Sequence, residues 1–277
     1  MKIRIFLTMV FAGLLMMGIS QSVLSESLDM FKGEKGTIRI AGGTAHIPVM
    51  KEVAKQIMTV NPEIQISIAG GGSGVGIKQV GEGLIDIGNS GREPTEVEIK
   101  KYGLKVFKWA IDGVAVVVNP NNPVKSLTKS QIKDIFSGKI DNWKRIGGMD
   151  KPINVYTRDE ASGTREVFWE KALDREEITK KANVVVSNGA MKSAISQDSY
   201  GIGYVSVGHI DQTVTPVTLD GVMPTIQSVK EGRYPVFRGL YSCTKGEPVG
   251  LTKKFIDYLF SPEGQKIVQS NGFIGVK

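Results

Sequence analysis

The sequence holds one cysteine and two histidines among its 277 residues. A single thiol excludes an intrachain disulfide and any paired-cysteine metal knuckle. Two imidazoles are too few for a zinc site built on histidine, so neither a metal nor a cofactor is expected. Aromatic residues make up only 7% and are not interleaved with arginine. Basic residues are scattered as Lys100-Lys101, Lys180-Lys181 and Lys253-Lys254, each pair with acidic residues nearby. The charged stripe of a nucleic-acid binder is therefore missing. No apolar run reaches the ~20 residues of a spanning helix. The length suits one large domain or two medium ones. With 41% hydrophobic and 23% charged residues, the chain can build a core and is not expected to be disordered.

The first 25 residues read as an address. Lys2 and Arg4 precede the apolar stretch Ile5 to Met17, and small residues follow down to Ser25. This is the pattern of a cleaved secretory signal over residues 1–25. No cysteine stands near Ser25 to carry a lipid, and Cys243 is expected to be buried and inert. Losing Lys2 and Arg4 with the leader lowers the formal charge from +7 to +5. An exported, soluble chain with a mild field for a small anion is expected.

Beyond the leader the pattern is α/β. Thr37 to Ala41 and Glu63 to Ala69 alternate as strands. Between them Val49, Met50, Val53, Ala54, Ile57 and Met58 form one helical stripe. Strand, helix, strand, helix, strand is the rhythm of a parallel sheet covered by helices. Thr95 with Glu98, Thr128, and Ser261-Pro262 are helix starts. Leu104–Trp109 and Gly113–Val118 read as two strands, ended by the turn cluster Asn119 to Pro123. The helices after residue 250 are expected to return to the first lobe. The division expected is lobe one over residues 35–115 and 214–277, and lobe two over 116–213.

Glycine is in surplus: 33 residues, against a usual share of about 7%. Three clusters share one arrangement, in which a strand end is followed by glycine, a hydroxyl residue and a helix start. They are Gly42-Gly43-Thr44-Ala45, Gly71-Gly72-Ser73-Gly74-Val75-Gly76 and Ala161-Ser162-Gly163-Thr164. A helix start leaves its first N–H groups unpaired and carries partial positive charge. Glycine lets an anion approach those groups, and hydroxyls add donors. Capping accounts for any one turn alone; three together point to one small anion. Arg158 and Arg92 stand just past strand ends and could supply charge, Arg158 by a planar fork. A salt bridge is the ordinary alternative for either. Arg165 is expected at the periphery.

Other chemistries fit poorly. Gly72-x-Gly74-x-Gly76 is neither a dinucleotide fingerprint nor a P-loop. Ser162 and Ser73 stand outside a nucleophile elbow. His46 and His209 are the only imidazoles, and no base–nucleophile pair stands out. His46, beside the first glycine turn, is read either as steering ligand charge or as a turn or surface residue. No enzyme is expected.

Three segments also carry a family likeness: Asp86-Ile87-Gly88-Asn89-Ser90-Gly91-Arg92, Phe136 to Trp143, and Arg158 to Arg165. Through them the chain resembles the substrate-binding proteins of phosphate ABC transporters. The resemblance implies a two-lobed, type II periplasmic-binding-protein clamp, each lobe a mixed sheet flanked by helices, joined by two crossover strands. It implies inorganic phosphate in the cleft, delivery to an inner-membrane ABC permease, a periplasmic location and a monomer. It places ligand contacts at Thr44, Ala45, Ser73, Ser90, Arg158, Ser162, Gly163 and Thr164, with Gly43, Gly74, Gly91, Arg92, Glu160 and Arg165 as secondary candidates. Some members carry an aspartate directly after the serine matching Ser90, where it accepts the phosphate proton. Here that position is Gly91. Glu160, Asp159 or a backbone carbonyl is left as acceptor. The alternatives are a receptor for sulfate or molybdate, or a surface or signalling protein that kept the clamp.

Overall fold

The computed structural model describes residues 27–276; the leader expected over 1–25 lies outside them. Strand β1 (Gly36–Gly42) turns Ile38 and Ile40 inward. Helix α1 (Ile47–Val60) buries Val49, Met50, Val53, Ala54 and Ile57 on one stripe, with Pro48 in its first turn. Strand β2 (Ile64–Gly71), helix α2 (Ser73–Gly81) and strand β3 (Ile87–Ser90) follow, and both strands pair parallel with β1. Helix α3 (Glu96–Tyr102) begins at the reciprocal Thr95–Glu98 capping box and ends at Gly103.

Strand β4 (Leu104–Val118) is one strand of 15 residues where two were expected. Asp112 interrupts the apolar pattern in the sequence. In the fold it stays extended because it pairs with Arg238 on strand β11 (Phe237–Lys245). The second half of the chain adds β5 (Ser126–Leu127), α4 (Lys129–Ser137), β6 (Asn154–Arg158), α5 (Gly163–Lys171), β7 (Asn183–Val185), α6 (Asn188–Gln197) and β8 (Gly201–Ser206). The short β9 (Thr215–Pro216), β10 (Thr218–Leu219) and α7 (Ile226–Lys230) precede β11. Helices α8 (Gly250–Phe260) and α9 (Pro262–Ser270) and strand β12 (Ile274–Gly275) finish the described chain. Ser261 caps α9 by accepting the Gly264 N–H at 3.1 Å.

The main strand order is β2-β1-β3-β11-β4-β8-β6-β7. Two large cores sit along it. Phe31, Ile38, Ile57, Trp109, Leu240, Phe255 and Val268 belong to the first. Val116, Phe136, Trp143, Phe168, Tyr204 and Tyr234 belong to the second. Strand β4 runs from one to the other: Trp109 and Ala110 pack in the first, Val114, Val116 and Val118 in the second. Strand β11 is the second crossing, with Phe237 against the second core and Leu240 inside the first.

This moves the expected boundary at residue 214. Val217, Leu219, Val229, Tyr234 and Val236 are buried in the second core. The chain returns at β11, some twenty residues later than its composition suggested. The first core also begins before residue 35, because Phe31 is fully buried in it.

Candidate functional site

The three glycine turns meet. The first is a 3-10 turn over Thr44–His46 leading into α1. The second is the start of α2 at Ser73, and the third the start of α5 at Gly163. They enclose a tight pocket between the two cores. It is lined by Gly43, Thr44, Ala45, Gly72, Ser73, Gly91, Arg158, Ser162, Gly163, Thr164 and Arg238. Larger grooves lie between α1 and α9 and beside β12. They are lined by mixed charges or apolar groups, and no set of donors converges there.

The lobes are in direct contact around the cavity. Gly74 N–H donates to the Ala161 carbonyl at 3.1 Å. Asn188 donates its backbone and side-chain N–H to Thr44 Oγ1 at 3.2 and 3.0 Å. Position 163 must be glycine, since a Cβ there would collide with the Ser73 hydroxyl across the cleft.

Four hydroxyls are set to donate. Thr44 Oγ1 accepts from Asn188, Ser73 Oγ from Gly91 N–H at 2.9 Å, Ser162 Oγ from Arg165 N–H at 3.2 Å, and Thr164 Oγ1 from Arg238 at 2.9 Å. Among the described residues none of these four donates its own hydrogen to a protein acceptor. A hydroxyl that already accepts still has one hydrogen to give. The helix starts add N–H groups without an intrahelical partner. Such a lining suits an acceptor-rich guest.

Arg158 provides the charge. It is the last residue of β6 and only 2% exposed. Its Nε and Nη2 donate to the carbonyls of Val185 and Val186, each at 3.0 Å. Its Nη1 is buried with no partner among the described residues. Burial lowers its pKa from the ordinary arginine value, against smaller opposing pulls from Tyr204 and Asp159. No carboxylate lines the cavity among the described residues.

Several expected site residues lie elsewhere. Ser90 is buried behind the cavity, and its hydroxyl donates to the Arg92 carbonyl at 2.6 Å. Arg92 turns to carboxylates: Nη1 and Nη2 meet Glu98 at 2.8 and 2.7 Å, and Nε meets Glu166 of the other lobe at 2.8 Å. Glu160, Asp159 and Arg165 face a separate surface groove beside Arg158. Two carboxylates beside an oxyanion would repel it, and the exposed loop keeps them in water. The Gly74 N–H is already taken by Ala161.

His46 is buried and His209 half-buried, and both are held neutral. His46 is the last residue of the first turn, its ring edge-on to Trp109 at 5.5 Å between ring centres. Burial, then the charge of Arg238, lowers its pKa to about 3. It is neither a surface residue nor a charged group. His209 Nε2 lies 3.2 Å from the Thr44 carbonyl, and burial lowers its pKa to about 4. Cys243 is buried, its pKa raised by burial to about 12. Sequence reasoning missed Arg238 and Asn188. Arg238 sits inside an ordinary strand pattern, and only its pairing opposite Asp112 singles it out.

Known proteins share this architecture. Residues 32–263 match the model of the PBP superfamily domain. The phosphate-binding protein PstS of Bacillus subtilis is 40% identical over 254 residues, 90% of this chain and 84% of that protein. A Clostridium perfringens structure, a putative phosphate ABC transporter substrate-binding protein with bound phosphate, aligns at a TM-score of 0.82 and 40% identity. The alignment covers 87% of this chain and all of that one. An ABC-type phosphate transport receptor from Vibrio cholerae aligns at 0.69 and 32% identity, over 87% of this chain and all of the receptor.

Proposed function

We propose, since the chain belongs to the PBP superfamily and within it to the family of the phosphate-binding relatives above, that it captures inorganic phosphate between its lobes and delivers it to an ABC transporter permease. The observation that carries the reading is Arg158 Nη1, a buried cationic donor without a partner among the described residues, on a side chain that lines the same pocket as the hydroxyls of Thr44, Ser73, Ser162 and Thr164. An isolated buried charge is unfavourable until it is paired. An oxyanion pairs it and takes the free hydroxyl hydrogens in the same step.

The ligand shell proposed is Thr44, Ala45 and Ser73 from the first lobe and Arg158, Ser162, Gly163 and Thr164 from the second. Gly43, Gly72 and Gly91 keep the backbone close. With β4 and β11 as the crossings, the lobes move as a clamp on two strands. Closure strips water from the anion and strengthens each charged hydrogen bond. The chain is then a receptor rather than an enzyme. Its place is outside the cytoplasm, in a periplasm, after export by the leader, and it works there as a monomer.

Calorimetric titration of protein stripped of endogenous ligand tests this. A saturable one-site isotherm with phosphate is expected. Absence of binding to phosphate overturns it. Sulfate and molybdate run in parallel decide the alternative, which the absence of a carboxylate among the described lining residues keeps in play. Phosphate changes protonation near neutrality and sulfate does not, so a pH series separates the two.

A further inference from the structure

Arg238 reaches the cavity from the crossing strands, not from a glycine turn. It stands directly opposite Asp112 in the β11–β4 pairing. Both side chains are buried, the arginine 2% exposed and the aspartate 0%. Nε and Nη2 both donate to Asp112 Oδ2, at 2.9 and 2.8 Å. The other carboxylate oxygen accepts from Ser206 Oγ at 2.9 Å. Asp112 therefore fixes the plane of the guanidinium and leaves one nitrogen, Nη1, pointing away from it.

That nitrogen faces the cavity lining. It donates to Thr164 Oγ1 at 2.9 Å and, over a longer 3.3 Å, to the Gly91 carbonyl. A Cβ on residue 91 would fall 2.7 Å from it, so glycine at 91 is what makes room for the guanidinium. A lone structural ion pair between two strands needs neither the turn toward Thr164 nor the missing side chain at 91.

We propose that Arg238 is a second anion-binding guanidinium of this site, held in position by Asp112. Its Nη1 orients the Thr164 hydroxyl so that the free hydrogen enters the cavity. The weaker bond to Gly91 yields, and the second Nη1 hydrogen turns to the bound oxyanion. The anion is then gripped by Arg158 from the second lobe and by Arg238 from the strands on which the lobes move. The inference rests on the reading of the cavity as an oxyanion site. Asp112 is a positioning residue and does not touch the ligand.

The test removes both charges together, so that no orphaned carboxylate is left buried. Wild type and the double variant D112N/R238Q are stripped of ligand and titrated with phosphate, sulfate and molybdate, and their melting is followed. Binding weakened about 10- to 100-fold, with a cooperative melt retained, is expected from the loss of a charged hydrogen bond. Unchanged affinity with a lower melting temperature overturns the proposal and leaves the pair a structural tie. If the double variant does not fold, R238K decides. It keeps a cation for Asp112 but has no second nitrogen to place at Thr164, so about a 10-fold loss is expected and an unchanged affinity overturns the proposal. A wild type that binds none of the three anions overturns the phosphate reading and this proposal together. Wild-type binding with an insensitive variant overturns this proposal alone.

Discussion

Arg158 and Arg92 have the same local setting and opposite surroundings. Each stands at or just past the C-terminal end of a strand parallel to its neighbour, next to a small-residue turn. Arg158 at the cavity floor has two backbone carbonyls and an unpartnered Nη1. Arg92 at the rim is held by Glu98 and Glu166. The floor arginine is almost fully buried, whereas the rim side chain is 15% exposed. The two arginines differ in whether a carboxylate is hydrogen-bonded to the guanidinium. At the rim, α3 brings Glu98 and α5 brings Glu166. At the floor, β7 and the residue after it bring backbone carbonyls, and no carboxylate is hydrogen-bonded to Arg158 among the described residues.

The contrast can be broken most directly at the floor. Replacing Arg158 with glutamine should weaken phosphate binding at least ~30-fold, ~2 kcal/mol or more, as truncating one side of a buried charged pair does. The empty protein should lose only about 1–2 kcal/mol, from the hydrogen bonds to the Val185 and Val186 carbonyls. Calorimetry and thermal melting check both. A large loss of stability with intact binding would make Arg158 a structural residue like Arg92.

The two histidines behind the cavity lining set a pH dependence. His46 and His209 have folded pKa values of about 3 and 4, lowered by burial. The unfolded chain takes up protons near the ordinary value of about 6.5. Stability is therefore full above about pH 6.5 and declines as pH falls toward 4, by on the order of 1 kcal/mol per pH unit per histidine. Urea unfolding at pH 6.5 and 5 should show the drop, and His46→Phe should remove about half of the slope. Carboxylates such as Glu98, held at about 2 chiefly by its hydrogen bonds to Arg92, do not contribute until the pH falls below their ordinary range near 4.5.

Ser162→Ala probes a residue with two duties. Its hydroxyl caps α5 through the Arg165 N–H and lines the cavity. Loss of the cap should cost ~1 kcal/mol of stability. Loss of the donor should weaken phosphate by about 3- to 10-fold, from ~1 kcal/mol for a neutral hydrogen bond. Equal stability with unchanged affinity would show that neither duty is real.

The smallest effect belongs to the rim. Arg92→Ala should change phosphate affinity by less than about 3-fold, since partly exposed ion pairs contribute ~0–1 kcal/mol. The Glu98 carboxyl should rise from about 2 toward the ordinary range once Arg92 is gone, and NMR titration reads this directly. An affinity loss as large as that of Arg158→Gln would erase the distinction between floor and rim.

Much of the fold was legible because its signals are local. The α1 stripe, the Thr95–Glu98 and Thr128 caps, Ser261-Pro262 and the glycine-terminated strands each depend on residues within one or two turns. The turns around the cavity could be read for the same reason. The return of the chain at β11 could not. Residues 214–236 form only short elements, and their lobe is decided by which core Val217, Tyr234 and Val236 enter. Ser90 illustrates the same limit in the site. Its neighbours suggested a ligand hydroxyl, but a backbone carbonyl two residues away claims it.

By itself the sequence determined the elements, the three hydroxyl-bearing helix starts and the scarcity of histidine and cysteine. These are properties of a residue and its near neighbours. The tertiary structure decided which arginine keeps its charge uncompensated, because that depends on which carboxylates other elements carry into reach. It also decided that Asp112 and Arg238, 126 positions apart in the chain, meet on the two crossing strands beside the cavity. No local pattern encodes that meeting; strand register does.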